Sequence, residues 1–107
     1  MTAGERVRDR ITKELQMAGG ELDGREEEFL DQAVSAADTI EQLEGLLETQ
    51  DLTATTKGGG LVVNPLLVEV RLQRVALLRF LNQIEIAPST ASGSARKLAN
   101  QRWRGGR

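Results

Sequence analysis

A chain of 107 residues is enough for one domain, small enough to gain stability from oligomerisation. Only Phe29, Phe80 and Trp103 are aromatic, so any core is aliphatic. The absence of cysteine excludes a disulfide framework and a thiolate metal site. The net charge of −2 conceals a division: residues 1–51 carry 14 acids and 5 bases, residues 52–107 carry 2 acids and 9 bases. Such asymmetry fits head-to-tail contact between acidic and basic faces, or a basic end that meets nucleic acid.

No apolar run approaches the length of a membrane span, and the N-terminus lacks the apolar region of a signal peptide, so a soluble protein without membrane contact is expected. Residues 1–20 read as a short N-terminal helix. Thr2 and Glu5 have capping-box spacing, Val7, Ile11, Leu15 and Ala18 recur at helical spacing, and Gly19-Gly20 stops the run. Arg6, Arg8, Arg10 and Lys13 are interleaved with Glu5, Asp9 and Glu14. A solvated face is therefore favoured there over nucleic-acid contact, which needs uncompensated positive charge.

Residues 21–87 read as a helical oligomerisation core. Asp23 and Glu26 repeat the capping-box spacing, and the helix they open is expected to run to about Gln50. Phe29, Ala33, Ala36, Ile40, Leu43 and Leu47 form a heptad seam, best satisfied by an antiparallel helical hairpin. Glu27, Asp31, Asp38, Glu41 and Glu48 line another side. Without histidine, this acidic line is expected to bind no metal. Asp51 to Val63 reads as a glycine-rich loop or as two short strands joined by a glycine turn. Lys57 precedes Gly58-Gly59-Gly60 rather than following it, so this is no phosphate-binding loop, and no cofactor is expected.

Asn64 then supplies a helix cap and Pro65 fits the first helical position. From Leu66 to Ile84 there is no Gly or Pro. Leu66, Leu67, Val70, Leu77, Leu78, Leu81 and Ile84 share a broad apolar face, while Val68, Leu72 and Val75 fall on the other side. A helix apolar on two sides is sandwiched, and in so short a chain a second copy is the expected partner. Val68, Leu72 and Val75 are thus the candidate oligomer interface, with Leu77, Leu81 and Ile84 packing internally on Ile40, Leu43 and Leu47. Arg71 and Arg79 flank Val75. They either pair with carboxylates of the second helix, in the same or a neighbouring chain, or present charge to a DNA backbone. Arg74 projects into the main apolar face, with Glu44 as a possible partner.

Pro88 ends regular structure, and residues 88–107 read as a linker and a flexible basic tail. Arg96, Lys97, Arg102, Arg104 and Arg107, with Trp103 among them, are candidate DNA contacts. Trp103 is also a candidate docking anchor.

The order Gly60 through Pro65, then a long leucine- and arginine-rich helix to Ile84, then Pro88-Ser89 and the basic Ser94–Leu98 piece, resembles the small terminase subunits of tailed phages. The resemblance covers about Ile40 to Leu98. It departs from the family at Thr90 to Gly93, which separates the proline from the polar, arginine-rich run. It implies a non-enzymatic, mainly helical protein that assembles into a ring, engages double-stranded phage DNA, and recruits and regulates the large terminase subunit that carries ATPase and nuclease. It also implies the cytoplasm of a bacterial host. A helix apolar on two sides agrees with a ring, in which each subunit has two unlike neighbours. The absence of histidine, cysteine and any convincing nucleophile–base set independently argues against catalysis. The competing readings are a small helical interaction module, antitoxin-like or regulator-binding, and a plain DNA-binding regulator. The last lacks a tight helix-turn-helix.

Overall fold

A computed structural model describes residues 1–86, which form three α-helices and one two-stranded antiparallel sheet. In chain order these are α1 (Ala3–Ala18), α2 (Gly24–Leu47), β1 (Thr53–Thr55), β2 (Leu61–Val63) and α3 (Pro65–Asn82). The chain is therefore mainly helical, as expected, and the glycine-rich stretch is a hairpin rather than a loop.

Each helix begins and ends where local chemistry demands. The Thr2 hydroxyl accepts from the Glu5 N–H at 3.1 Å. At the other end of α1, Gly19 takes a left-handed conformation (φ 69°) and the Gly20 N–H returns to the Leu15 carbonyl at 3.0 Å, closing the helix with a glycine turn. Asp23 and Glu26 form a reciprocal capping box at the start of α2. Asn64 caps α3, its Oδ1 accepting from Leu66 N–H at 3.0 Å, and Pro65 opens the helix. α2 stops at Leu47 rather than at Gln50. The Thr49 N–H and hydroxyl both donate to the Leu46 carbonyl there, which tightens the chain into a turn.

α2 is the central helix, packed by α1 on one side and α3 on another. The seam residues Ala33, Ala36 and Ile40 are buried as their spacing requires, and Leu30 and Ala37 are buried beside them. α2 and α3 run antiparallel. The Phe29 and Phe80 rings lie 6.5 Å apart near one end, and Arg74 bridges to Glu44 at 3.2 Å further along. Arg74 thus has the expected partner, but the pair lies at the exposed rim of the helix contact rather than within the apolar face.

The direction is the expected one, but the register is shifted. Late α3 meets early α2, so Leu81 and Ile84 cluster with Leu30 and Phe29, joined by Ile11, Val7 and Leu15 of α1. Leu43 and Leu47 lie at the other end, where Leu47 shares a groove with Leu67 and Val70. Leu81 and Ile84 therefore pack nearer the start of α2 than the expected contact with Ile40, Leu43 and Leu47. The chain beyond α3 is held by Glu26: one carboxylate oxygen completes the capping box and the other accepts from the Glu85 N–H at 2.9 Å.

Candidate assembly and nucleic-acid surfaces

The inward face of α3 is anchored by buried Val70 and half-buried Leu77 and Leu81, all against α2 or its ends. Its outward face carries Val68, Leu72 and Val75, exposed by 44%, 53% and 43%. Helical spacing places these three on one stripe that continues into Arg79. Leu78 joins the exposed side at 61%, contrary to its expected place on the inward face. It follows Leu77 by one residue, about 100° around the helix, beyond the flank that a single neighbouring helix can cover.

Arg71 and Arg79 are exposed and make no ion pair with any described residue, in contrast to Arg74. The version of their salt-bridging role that lies within one chain is therefore not what this structure shows. Two guanidinium groups outside the described ion pairs border an uncovered apolar stripe, Arg71 sharing a groove with Glu44 and Glu48. That combination suits a protein surface or a polyanion backbone better than water alone.

α1 behaves differently. Arg6 pairs with Glu41 at 2.9 Å, Arg8 with Asp31, and Lys13 with Asp9 at 2.9 Å. Most of its positive charge is thus neutralised by carboxylates, as the interleaved acids imply. The acidic line of α2 has a structural use that spacing alone does not reveal. Asp38 accepts from the Gly4 N–H at 2.7 Å and Glu41 from the Ala3 N–H at 3.2 Å. With Thr2 accepting from Glu5 through its hydroxyl and from Arg6 through its carbonyl, every free donor of the first turn of α1 is satisfied. The backbone bond to Ala3, followed by the bond from Arg6, holds the Glu41 carboxyl below its ordinary pKa. Among the described residues no group of three or more acidic side chains is arranged to hold a metal ion.

Gly4 accommodates this docking. Glycine permits close approach, and a Cβ at Gly4 would lie 2.6 Å from both Asp38 Oδ2 and the Val34 carbonyl, whereas one at Gly24, likewise in a first turn, would meet nothing within 4 Å.

The hairpin is the third surface. Thr53 faces Val63, Ala54 faces Val62 and Thr55 faces Leu61, and all these side chains are exposed. The turn is a Thr56–Gly59 hydrogen-bonded reversal with Gly59 at φ 85°, a conformation that glycine alone adopts without strain. Arg96, Lys97, Arg102, Trp103, Arg104 and Arg107 lie outside the described residues. No described helix is long and apolar enough to cross a membrane. Comparison of the chain with protein-family models, curated proteins and solved structures finds no match.

Proposed function

We propose that this chain is a non-catalytic DNA-packaging adaptor of the small-terminase type. In this reading copies assemble into a closed ring, bind double-stranded phage DNA, and recruit and regulate a large ATPase–nuclease subunit in the cytoplasm of a bacterial host. The resemblance over Ile40–Leu98 supports the identity of the machine. The observation that carries the assembly is the outward face of α3, where Val68, Leu72 and Val75 are exposed beside the unpaired Arg71 and Arg79. The apolar stripe is covered by a neighbouring subunit. The guanidinium groups and the basic residues from Arg96 to Arg107 supply positive charge that the ring multiplies, making weak phosphate contacts avid.

The test is Leu72→Glu together with truncation after Gly93. The first buries a charge only at the subunit interface, so the mass by light scattering should fall to that of one subunit while helical circular dichroism persists. The second should leave the assembly intact but lower DNA affinity and flatten its salt dependence. A wild-type chain that stays monomeric, or DNA binding indifferent to the truncation, would overturn the corresponding half of the reading.

A further inference from the structure

α2 has three sides, and two are taken. The side of Phe29, Ala33, Ala36 and Ile40 faces α3, with Phe29 against Phe80. The side of Asp31, Asp38 and Glu41 holds α1. Helical spacing places Glu28, Gln32, Ser35, Thr39, Gln42 and Leu46 on the third side. All of these are exposed except the half-buried Thr39, and Leu46 is exposed by 51%. From Gln32 to Leu46 this side carries no charge, although α2 is rich in carboxylates elsewhere. A helix side that meets only water is ordinarily charged. Thr39 turns its hydroxyl back to the Ser35 carbonyl at 2.9 Å, so that group needs no outside partner. Such a side can be covered without stripping water from a charge.

The outward stripe of α3 is its counterpart in reverse order. Back from Arg79 come Val75, Leu72 and Val68, while forward from Glu28 come Gln32, Ser35 and Thr39. Any two helix stripes share this spacing, so the charges decide the direction. Each stripe ends in one charge, the two are opposite in sign, and neither Glu28 nor Arg79 is in an ion pair among the described residues. Laid antiparallel, Arg79 meets Glu28 and the branched side chains of α3 meet uncharged neighbours. Laid parallel over the same span, Arg79 falls beside Thr39 and finds no carboxylate on that side. Within one chain the two cannot meet, because α3 turns Val70 to α2 and Leu72 away from it.

From these features we propose that the α3 stripe of each copy packs antiparallel on the third side of α2 in the next copy, with Arg79 paired to Glu28 across the contact. This rests on the assembly reading and names the surface that covers the stripe. The register also suits closure. Within a chain Phe80 of α3 sits beside Phe29 of α2, and across the contact Arg79 sits beside Glu28. Each neighbouring α3 thus stands at nearly the same height on α2 as the chain's own. With the helices along the ring axis, a head-to-tail contact repeated without an axial step closes into a ring, whereas a stepped one grows into a filament.

The chain has no cysteine, so introduced thiols report the contact directly. In this register Leu72 of one copy lies beside Ser35 of the next. A chain carrying both Ser35→Cys and Leu72→Cys, assembled and mildly oxidised, should give a ladder of covalently linked subunits, and neither single variant should link. Arg79→Glu should weaken assembly about tenfold or more with helicity unchanged, and adding Glu28→Arg should restore it. Linking of Leu72→Cys alone would show α3 packed on α3 and would refute the contact. An assembled double variant without a ladder, or Arg79→Glu left unrescued by Glu28→Arg, would refute it too and leave the assembly standing. A wild type monomeric at all concentrations would overturn the assembly and this contact together.

Discussion

Gly4 sets two opposing effects against each other. Alanine is the better helix former by about 1 kcal/mol. A methyl at Gly4, however, would sit 2.6 Å from the Val34 carbonyl, and that oxygen belongs to the backbone of α2 and cannot swing away. Overpacking of this kind costs about 1–3 kcal/mol, so Gly4→Ala is expected to be net destabilising in urea denaturation and to loosen α1 first. A neutral or stabilising result would mean that α1 docks less closely than the Gly4–Asp38 hydrogen bond implies. Glu41 adds a pH dependence to the same contact. Its carboxyl is held below its ordinary pKa chiefly by the Ala3 N–H and then by Arg6. A depressed carboxylate contributes stability that is full above its unfolded pKa and disappears as pH falls through the folded one. The stability gap between wild type and Glu41→Gln should therefore be present at neutral pH and shrink in acid, below the ordinary carboxylate range. A gap that stays constant down that range would remove Glu41 from the docking of α1.

Among the elements, the hinge between hairpin and helix rests on Asn64. Its Oδ1 caps α3, while its Nδ2 donates to Gln50 Oε1 at 3.0 Å and to the Asp51 carbonyl at 3.1 Å. Asn64→Ala should cost about 1–2 kcal/mol, since a lost cap alone costs roughly 1. Asn64→Asp keeps the cap but not the two donors. A penalty for Asp as large as for Ala, read by the same denaturation, would make the bridge to the end of α2 the larger contribution. The Asn64-Pro65 start was legible in the sequence because a cap is a local arrangement of one side chain and a few amides. The same holds for Thr2, Asp23 with Glu26, and Gly19-Gly20. What was not legible depends on long-range packing. The leucines of α3 drew attention to that helix as the one to be sandwiched, yet within the chain α2 takes that place. Its second face is made partly of Ala37 and Leu30, and alanine gives little periodic signal. The carboxylates Asp38 and Glu41 read as a solvated line because nothing in their spacing shows that another helix will end against them. The candidate site was legible in part: Val68, Leu72 and Val75 do lie opposite the packed face, but Leu78 was misplaced because one neighbouring helix covers a narrower arc than seven leucine-class positions describe.

For the whole molecule, the balance of buried and exposed apolar surface decides what the chain needs. Among the described residues the buried apolar set is Ile11, Leu30, Ala33, Ala36, Ala37, Ile40, Val70 and Ile84, three of them alanines, and no large side chain is completely enclosed. Leu52, Leu61, Val62, Val63, Val68, Leu72, Val75 and Leu78 are exposed. A small domain already buries a modest share of its surface, and one that leaves this many branched side chains in water has little stability in reserve. Assembly would supply the remainder, and it leaves a thermodynamic signature that a self-sufficient monomer lacks. Association stabilises the folded state by mass action, so each tenfold rise in concentration should add about 1 kcal/mol per subunit in an assembly of several copies. For a domain of this size that raises the thermal midpoint by several degrees. Leu72→Glu, which removes the association but not the fold, should lower the midpoint and make it independent of concentration. Calorimetry over a hundredfold range of wild-type concentration decides the matter. A rising midpoint that Leu72→Glu flattens would tie stability to the α3 stripe, whereas a wild-type midpoint that does not move would mean that residues 1–86 hold together on the α1–α2–α3 contacts alone.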